Sequence, residues 1–133
     1  MIDVANRGEA FAEFWSERRV CTLSTLRPDG TPHVTPVGAT LDAESGIVRV
    51  MCSRTSRKAR NVLASDEGEA PVSVCQVDGR RWSALEGRAA VRDDAESVAE
   101  AERRYAQRYR TPRPNAQRVV LEIRITRVLG TVR

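Results

Sequence analysis

Two Asp-Gly pairs set the frame of this chain. Asp29-Gly30 stands between "VCTLSTL" and "HVTPVGATL", and Asp78-Gly79 between "APVSVCQV" and "RWSALEGRAAV". Asp-Gly supplies the positive φ of a tight hairpin turn, and the flanking runs are rich in residues that favour strands. Each pair therefore predicts an antiparallel hairpin. The turn "DAESG" leads into a further run, "IVRVMC". The last run, "VVLEIRITRVLG", alternates so that Val119, Leu121, Ile123 and Ile125 share one face. Pro36 inside "HVTPVGATL" lacks a backbone donor, which puts that strand at an edge or a bulge.

Helices are expected at three places. "VANRGEAFAEFWSER" puts Ala5, Phe11, Ala12, Phe14 and Trp15 on one side at helical spacing. "SRTSRKARNVLASD" leaves the third strand and enters a helix. "DDAESVAEAERRYAQRY" carries Asp93 and Asp94 as caps and Val98, Ala101, Tyr105 and Tyr109 on one face, and "TPRPN" ends it. Short antiparallel strands of this kind, about six of them, argue for a small barrel. Such a barrel encloses too little space for a ligand, so a ligand would lie outside it, in a groove where two copies meet.

The 133 residues fit one domain spanning 1–133, and 41% hydrophobic with 30% charged residues suits a soluble globular protein. No apolar run approaches the ~18 residues of a membrane span. The N-terminus lacks the basic and apolar regions of a signal peptide, so a cytoplasmic location and no membrane partner are expected. Cys21, Cys52 and Cys75 form no CxxC and read as free thiols of a reducing compartment. His33 is the single histidine, which leaves no zinc set and no Ser-His-Asp hydrolase. A net charge of +4 points to anionic partners.

Among 22 Lys plus Arg residues, Lys58 is the one lysine. Drift towards Arg in a GC-rich genome is the bland account. The surroundings offer another. Ser53 to Arg60 carries Arg54, Arg57, Lys58 and Arg60 with the hydroxyls of Ser53, Thr55 and Ser56, and no acid. The segment passes from strand to helix, where free N–H groups add to the donors. Charge and donors converge as a phosphate requires. A solvated basic turn is the alternative.

Ser56-Arg57-Lys58 at the strand-to-helix turn, with "HVTPVG" upstream, resembles the flavin split-barrel family of pyridoxine-phosphate oxidases and their deazaflavin-dependent relatives. The resemblance implies a mainly β fold, a six- to seven-stranded antiparallel split β-barrel with flanking helices. It implies that Ser53, Arg54, Thr55, Ser56, Arg57, Lys58, Arg60 and Asn61 surround the cofactor phosphate, and that His33, Thr35, Pro36, Val37 and Gly38 lie along its ring. "QVDGRRWSALEGRAAV" and "RRYAQRYRTPRPNAQRVVLEIRITRVLG" are similar to the branch that reduces biliverdin with coenzyme F420, over about Phe14 to Gly130. Gln76, Val77 and Trp82 match that branch, at a strand end that approaches the partner subunit's cofactor in a homodimer. Trp82 also suits a plain core or interface aromatic. The turn Arg54-Thr55-Ser56-Arg57 departs from the glycine-rich turn of that branch and is similar to the FMN oxidases.

The resemblance also implies a reaction: hydride transfer from C5 of reduced F420 to the C10 methine of a linear tetrapyrrole, with FMN as the alternative cofactor. In the second basic cluster, Arg103, Arg104 and Arg108 read as a solvated helix face. Arg110 and Arg113, in a loop stiffened by Pro112 and Pro114, suit the carboxylates of biliverdin or of the cofactor's glutamate tail. Other readings stay open: an FMN-dependent oxidase, an F420-dependent reductase of quinones or unsaturated esters, a haem binder with His33 as axial ligand, and a basic nucleic-acid binder. Against the last, Tyr105 and Tyr109 fall on the apolar side of their helix, so no nucleic-acid partner is expected.

Overall fold

A computed structural model describes residues 2–132. Seven antiparallel strands form one sheet: β1 (Cys21–Leu26), β2 (Pro32–Val37), β3 (Ala39–Asp42), β4 (Ile47–Ser53), β5 (Ala70–Asp78), β6 (Arg81–Arg92) and β7 (Arg118–Gly130). Their order is β2-β1-β5-β6-β7-β4-β3. Both Asp-Gly turns close hairpins as expected, with φ of 87° at Gly30 and 61° at Gly79.

The run "HVTPVGATL" is two strands and not one. β2 is one edge of the sheet and β3 the other, and Gly38 alone separates them. A single residue cannot bridge a flat seven-stranded sheet, whose neighbouring strands lie about 4.8 Å apart. The sheet must curl until its two edges meet at Gly38, and it does so as a half-barrel. Pro36 sits on edge strand β2, where its missing N–H costs no ladder bond to a further strand. The concave side is packed with Leu23, Val48, Val50, Val74, Leu85, Leu121 and Ile123, all fully buried. The alternating face read in the last strand, Val119 to Ile125, is buried throughout.

Three helices flank the sheet: α1 (Glu9–Ser16), α2 (Arg57–Leu63) and α3 (Ala95–Arg108). α1 is shorter than its apolar pattern suggests. Gly8, with φ 99°, holds the chain out of the helix, so Ala5 lies before it. Phe11, Phe14 and Trp15 enter the core, while Ala12 faces solvent. α2 starts at Ser56, whose hydroxyl accepts from the Ala59 N–H at 3.3 Å. α3 is capped by Asp94, which accepts from the Ser97 N–H at 2.9 Å. Asp93 pairs instead with Arg54. None of these helices is long and apolar enough to cross a membrane.

Arg108 departs from the solvated face read from its neighbours. Its Nε donates to the Glu17 carbonyl at 2.9 Å, its Nη1 to the Ala39 carbonyl at 2.6 Å, and its Nη2 to the Gln76 side chain. The guanidinium also lies 5.7 Å from the Trp15 ring centroid and 5.0 Å from that of Tyr109. Arg104 reaches Asp42 on β3 and Glu100 on its own helix. Arg103 pairs only along the helix, with Glu100, and keeps the solvated role.

A Cβ at Gly38 would stand 2.7 Å from Cε2 of Tyr105 and 3.3 Å from Cε2 of Tyr109, two rings already packed together at a 33° tilt with centroids 5.0 Å apart. Gly38→Ala should therefore destabilise the fold by about 1–3 kcal/mol through overpacking. Urea unfolding measures this; an unchanged midpoint would show that the tyrosine pair yields freely. Adding Tyr105→Leu should recover part of the loss.

Candidate functional site

The corner where β2 meets β3 forms one wall of a groove of about 470 Å³. Pro36, Val37 and Gly38 make that wall. The end of β4 brings Met51, Cys52 and Ser53, the turn into α2 brings Ser56 and Lys58, and α3 brings Tyr105. The loop after α3 closes the far side with Arg110, Pro112, Arg113 and Asn115, and Arg118 opens β7 beside it. Local bonds fix this loop. Asn115 donates to the Ser53 hydroxyl at 3.0 Å, and the Arg54 N–H to the Gln117 carbonyl at 2.8 Å. Arg118 is held by Glu102 and by the Arg113 carbonyl.

The electrostatics of the groove are one-sided. Arg54 spends its charge on Asp93 and Arg118 on Glu102. Among the described residues no carboxylate stands within ion-pair distance of Lys58, Arg110 or Arg113, and no acid lines the groove. Cys52 sits between these charges and the β4 backbone. Burial pushes its thiol up, against the opposing pull of Ser56 and Lys58, so it stays neutral at pH 7. Amine, guanidinium and hydroxyl donors share one groove with Pro36, Gly38 and Met51, a lining that suits an anion joined to a flat ring.

Of the residues singled out in the sequence, Pro36, Val37, Gly38, Ser53, Ser56, Lys58, Arg110 and Arg113 come together here. Arg54, Thr55, Arg57 and Arg60 surround the turn but point to solvent. His33 and Thr35 share a face of β2 and do not line the groove. Partial burial lowers the His33 pKa, and the charges of Arg27, Lys58 and Arg57 lower it further, so it is neutral at pH 7. His33 Nδ1 and Thr35 Oγ1 are buried without partners.

Asn61 and Gln76 lie elsewhere, inside the core. Asn61 donates to the Thr25 hydroxyl at 2.9 Å. Gln76 donates to the Phe14 carbonyl at 2.8 Å and accepts from Arg108. Val77 and Trp82 face each other across the β5–β6 hairpin on the convex side, exposed by 63% and 38%.

Sequence reasoning missed Met51, Cys52, Tyr105, Asn115 and Arg118. Met51 and Cys52 immediately precede the basic turn, and that adjacency was the available signal. Tyr105 read as plain helix packing, because its neighbour across the groove is 67 positions away at Gly38.

Known proteins resemble the chain along nearly its whole length. A chain named F420H(2)-dependent biliverdin reductase, from Mycobacterium tuberculosis, is 55% identical over 118 residues, covering 89% of this chain and 83% of that one. A solved structure of a conserved hypothetical protein from the same species is 25% identical, with a TM-score of 0.76 over 99% of this chain and 88% of that one. A solved F420 reductase is 23% identical, with a TM-score of 0.72 over 92% and 98%, a likeness of fold. The family model for pyridoxamine 5'-phosphate oxidase matches residues 8–131, and the chain belongs to that family.

Proposed function

We propose that this chain is a coenzyme F420-dependent reductase whose substrate is biliverdin. The observation that carries the reading is the acid-free groove with Lys58, Arg110 and Arg113 unneutralised, in a chain 55% identical to a protein of that name. When bound, reduced F420 supplies a hydride from C5 to the C10 methine of the tetrapyrrole. Ser53, Ser56 and Lys58 hold the cofactor phosphate, with Arg57 adding charge at the turn. Pro36, Val37 and Gly38 form the wall for the ring. Arg110 and Arg113 orient carboxylates. The lining offers no carboxylate or imidazole, and these residues bind and position the reactants. FMN is the second reading, favoured by the serine and arginines of a turn that could also grip a terminal phosphate.

The active unit is a homodimer in this reading. On the convex side a cross-strand row runs Pro36, Thr22, Cys75, Ala84, Leu129. Around it Val20, Val34, Val77 and Trp82 are exposed by 69%, 56%, 63% and 38%. An apolar sheet face of this kind marks an interaction surface. Pro36 belongs both to that row and to the groove wall, so a second copy seated on the face adjoins the cofactor. Three free cysteines favour the cytoplasm as its compartment.

In equilibrium dialysis the protein binds F420 more tightly than FMN, and anaerobic mixing with reduced F420 and biliverdin yields bilirubin; tight FMN binding without deazaflavin binding would sink the reading. Lys58→Ala removes a charge-assisted hydrogen bond, which costs about 10-fold in F420 affinity with little change in melting temperature. Lys58→Arg loses less, since charge is kept but the planar fork fits differently. Trp82→Asp, placing a charge in the apolar face, converts the dimer to monomer in sedimentation; a wild-type monomer that still binds cofactor would refute the dimer.

A further inference from the structure

A second cavity, of about 330 Å³, adjoins the groove, and Arg18 on its rim has no role in the arrangement above. Arg18, Arg19, Val20, Tyr105, Tyr109 and Arg110 line it. Tyr105 and Arg110 line both spaces, so the two meet across these side chains. The floor is rigid. The Tyr109 hydroxyl donates to the Arg19 carbonyl at 2.7 Å and accepts from the Ala39 N–H at 3.3 Å, and Arg108 lies 5.0 Å from the centre of its ring.

The charges on this cavity differ in kind. Arg19 is neutralised by Glu17 and Asp78. Arg18 and Arg110 are exposed and have no carboxylate within ion-pair distance among the described residues. Two uncompensated guanidiniums thus flank a tyrosine-floored cavity that continues a cationic groove. Guanidinium forks bind carboxylates in paired geometry, and an aromatic floor accepts a flat conjugated body.

We propose that Arg18 and Arg110 form a carboxylate subsite next to the groove, which takes the carboxylate of a ligand too long for the groove alone. This subsite rests on the function proposed above. The chemistry has two sources, a propionate of the tetrapyrrole or the glutamate tail of the cofactor, and binding measurements separate them.

The test is tryptophan-quenching titration of wild type, Arg18→Ala and Arg18→Lys. The ligands are biliverdin, biliverdin dimethyl ester, F420 with its tail, and the deazaflavin riboside without phosphate or tail. Arg18→Ala should weaken either biliverdin or tailed F420 by about three- to ten-fold. It should leave the matching uncharged ligand, ester or riboside, unaffected. Arg18→Lys should recover part of the loss. Weakening of biliverdin alone assigns the subsite to the propionate, and weakening of tailed F420 alone assigns it to the tail. Equal affinity of wild type and Arg18→Ala for both charged ligands, or equal weakening of charged and uncharged forms, overturns the subsite. Should F420 fail to reduce biliverdin while Arg18→Ala still weakens a carboxylate ligand, the proposed function falls and the subsite stands.

Discussion

One guanidinium ties this structure together. Arg108, at the end of α3, reaches the end of α1 through Glu17, the start of β3 through Ala39 and the last residues of β5 before its hairpin through Gln76. Its partners are neutral acceptors and two aromatic faces, so the charge is solvated by carbonyl oxygens and rings in place of water. Such a group is costly to bury without its full set of acceptors. The docked position of α3 therefore depends on these acceptors, and α3 carries Tyr105 to the groove. Gln76 completes the set: its amide donates to the Phe14 carbonyl while its oxygen receives Arg108, which links α1, β5 and α3 through one side chain.

The groove inherits its precision from that docking. Tyr105 and Tyr109 press on Gly38, the one residue between the two sheet edges, and fix where the β2 wall stands relative to the β4 end. The Asn115–Ser53 bond then sets the loop after α3 against the α2 turn. Many charges outside the groove are paired, as in the Arg81, Glu17 and Asp78 cluster and the Arg88 pairs. Inside it, Lys58, Arg110 and Arg113 stand without a carboxylate partner among the described residues, which concentrates positive potential there.

Local signals made most of the fold legible. Asp-Gly turns, β-branched runs and the alternation of β7 are short-range properties, and the strands conform to them closely. The division at Gly38 was not legible, because edge status depends on which strands pair across the whole sheet. The Arg108 role was hidden for the same reason: its acceptors lie 91, 69 and 32 positions away, while its immediate neighbours are polar. At the site, the acid-free turn was readable because it is contiguous. The contributions of Met51 and Tyr105 depend on a strand and a helix meeting, which no window of sequence contains. Asn61 and Gln76 matched positions of the resemblance, and in the structure both are buried: the Asn61 amide donates to Thr25 while its Oδ1 has no partner, and Gln76 bonds Phe14 and Arg108.

The sheet edges carry a consequence of their own. An open sheet presents two rows of unpaired amides, each a template for pairing with another chain. Here one edge strand begins with Pro32 and carries Pro36, and the other is only four residues long. Curling also draws both edges to a single corner at Gly38. Edge-to-edge polymerisation is thereby discouraged by backbone chemistry, without reliance on surface charge. A chain built this way withholds its sheet edges from a neighbouring chain, which disfavours growth into a fibre.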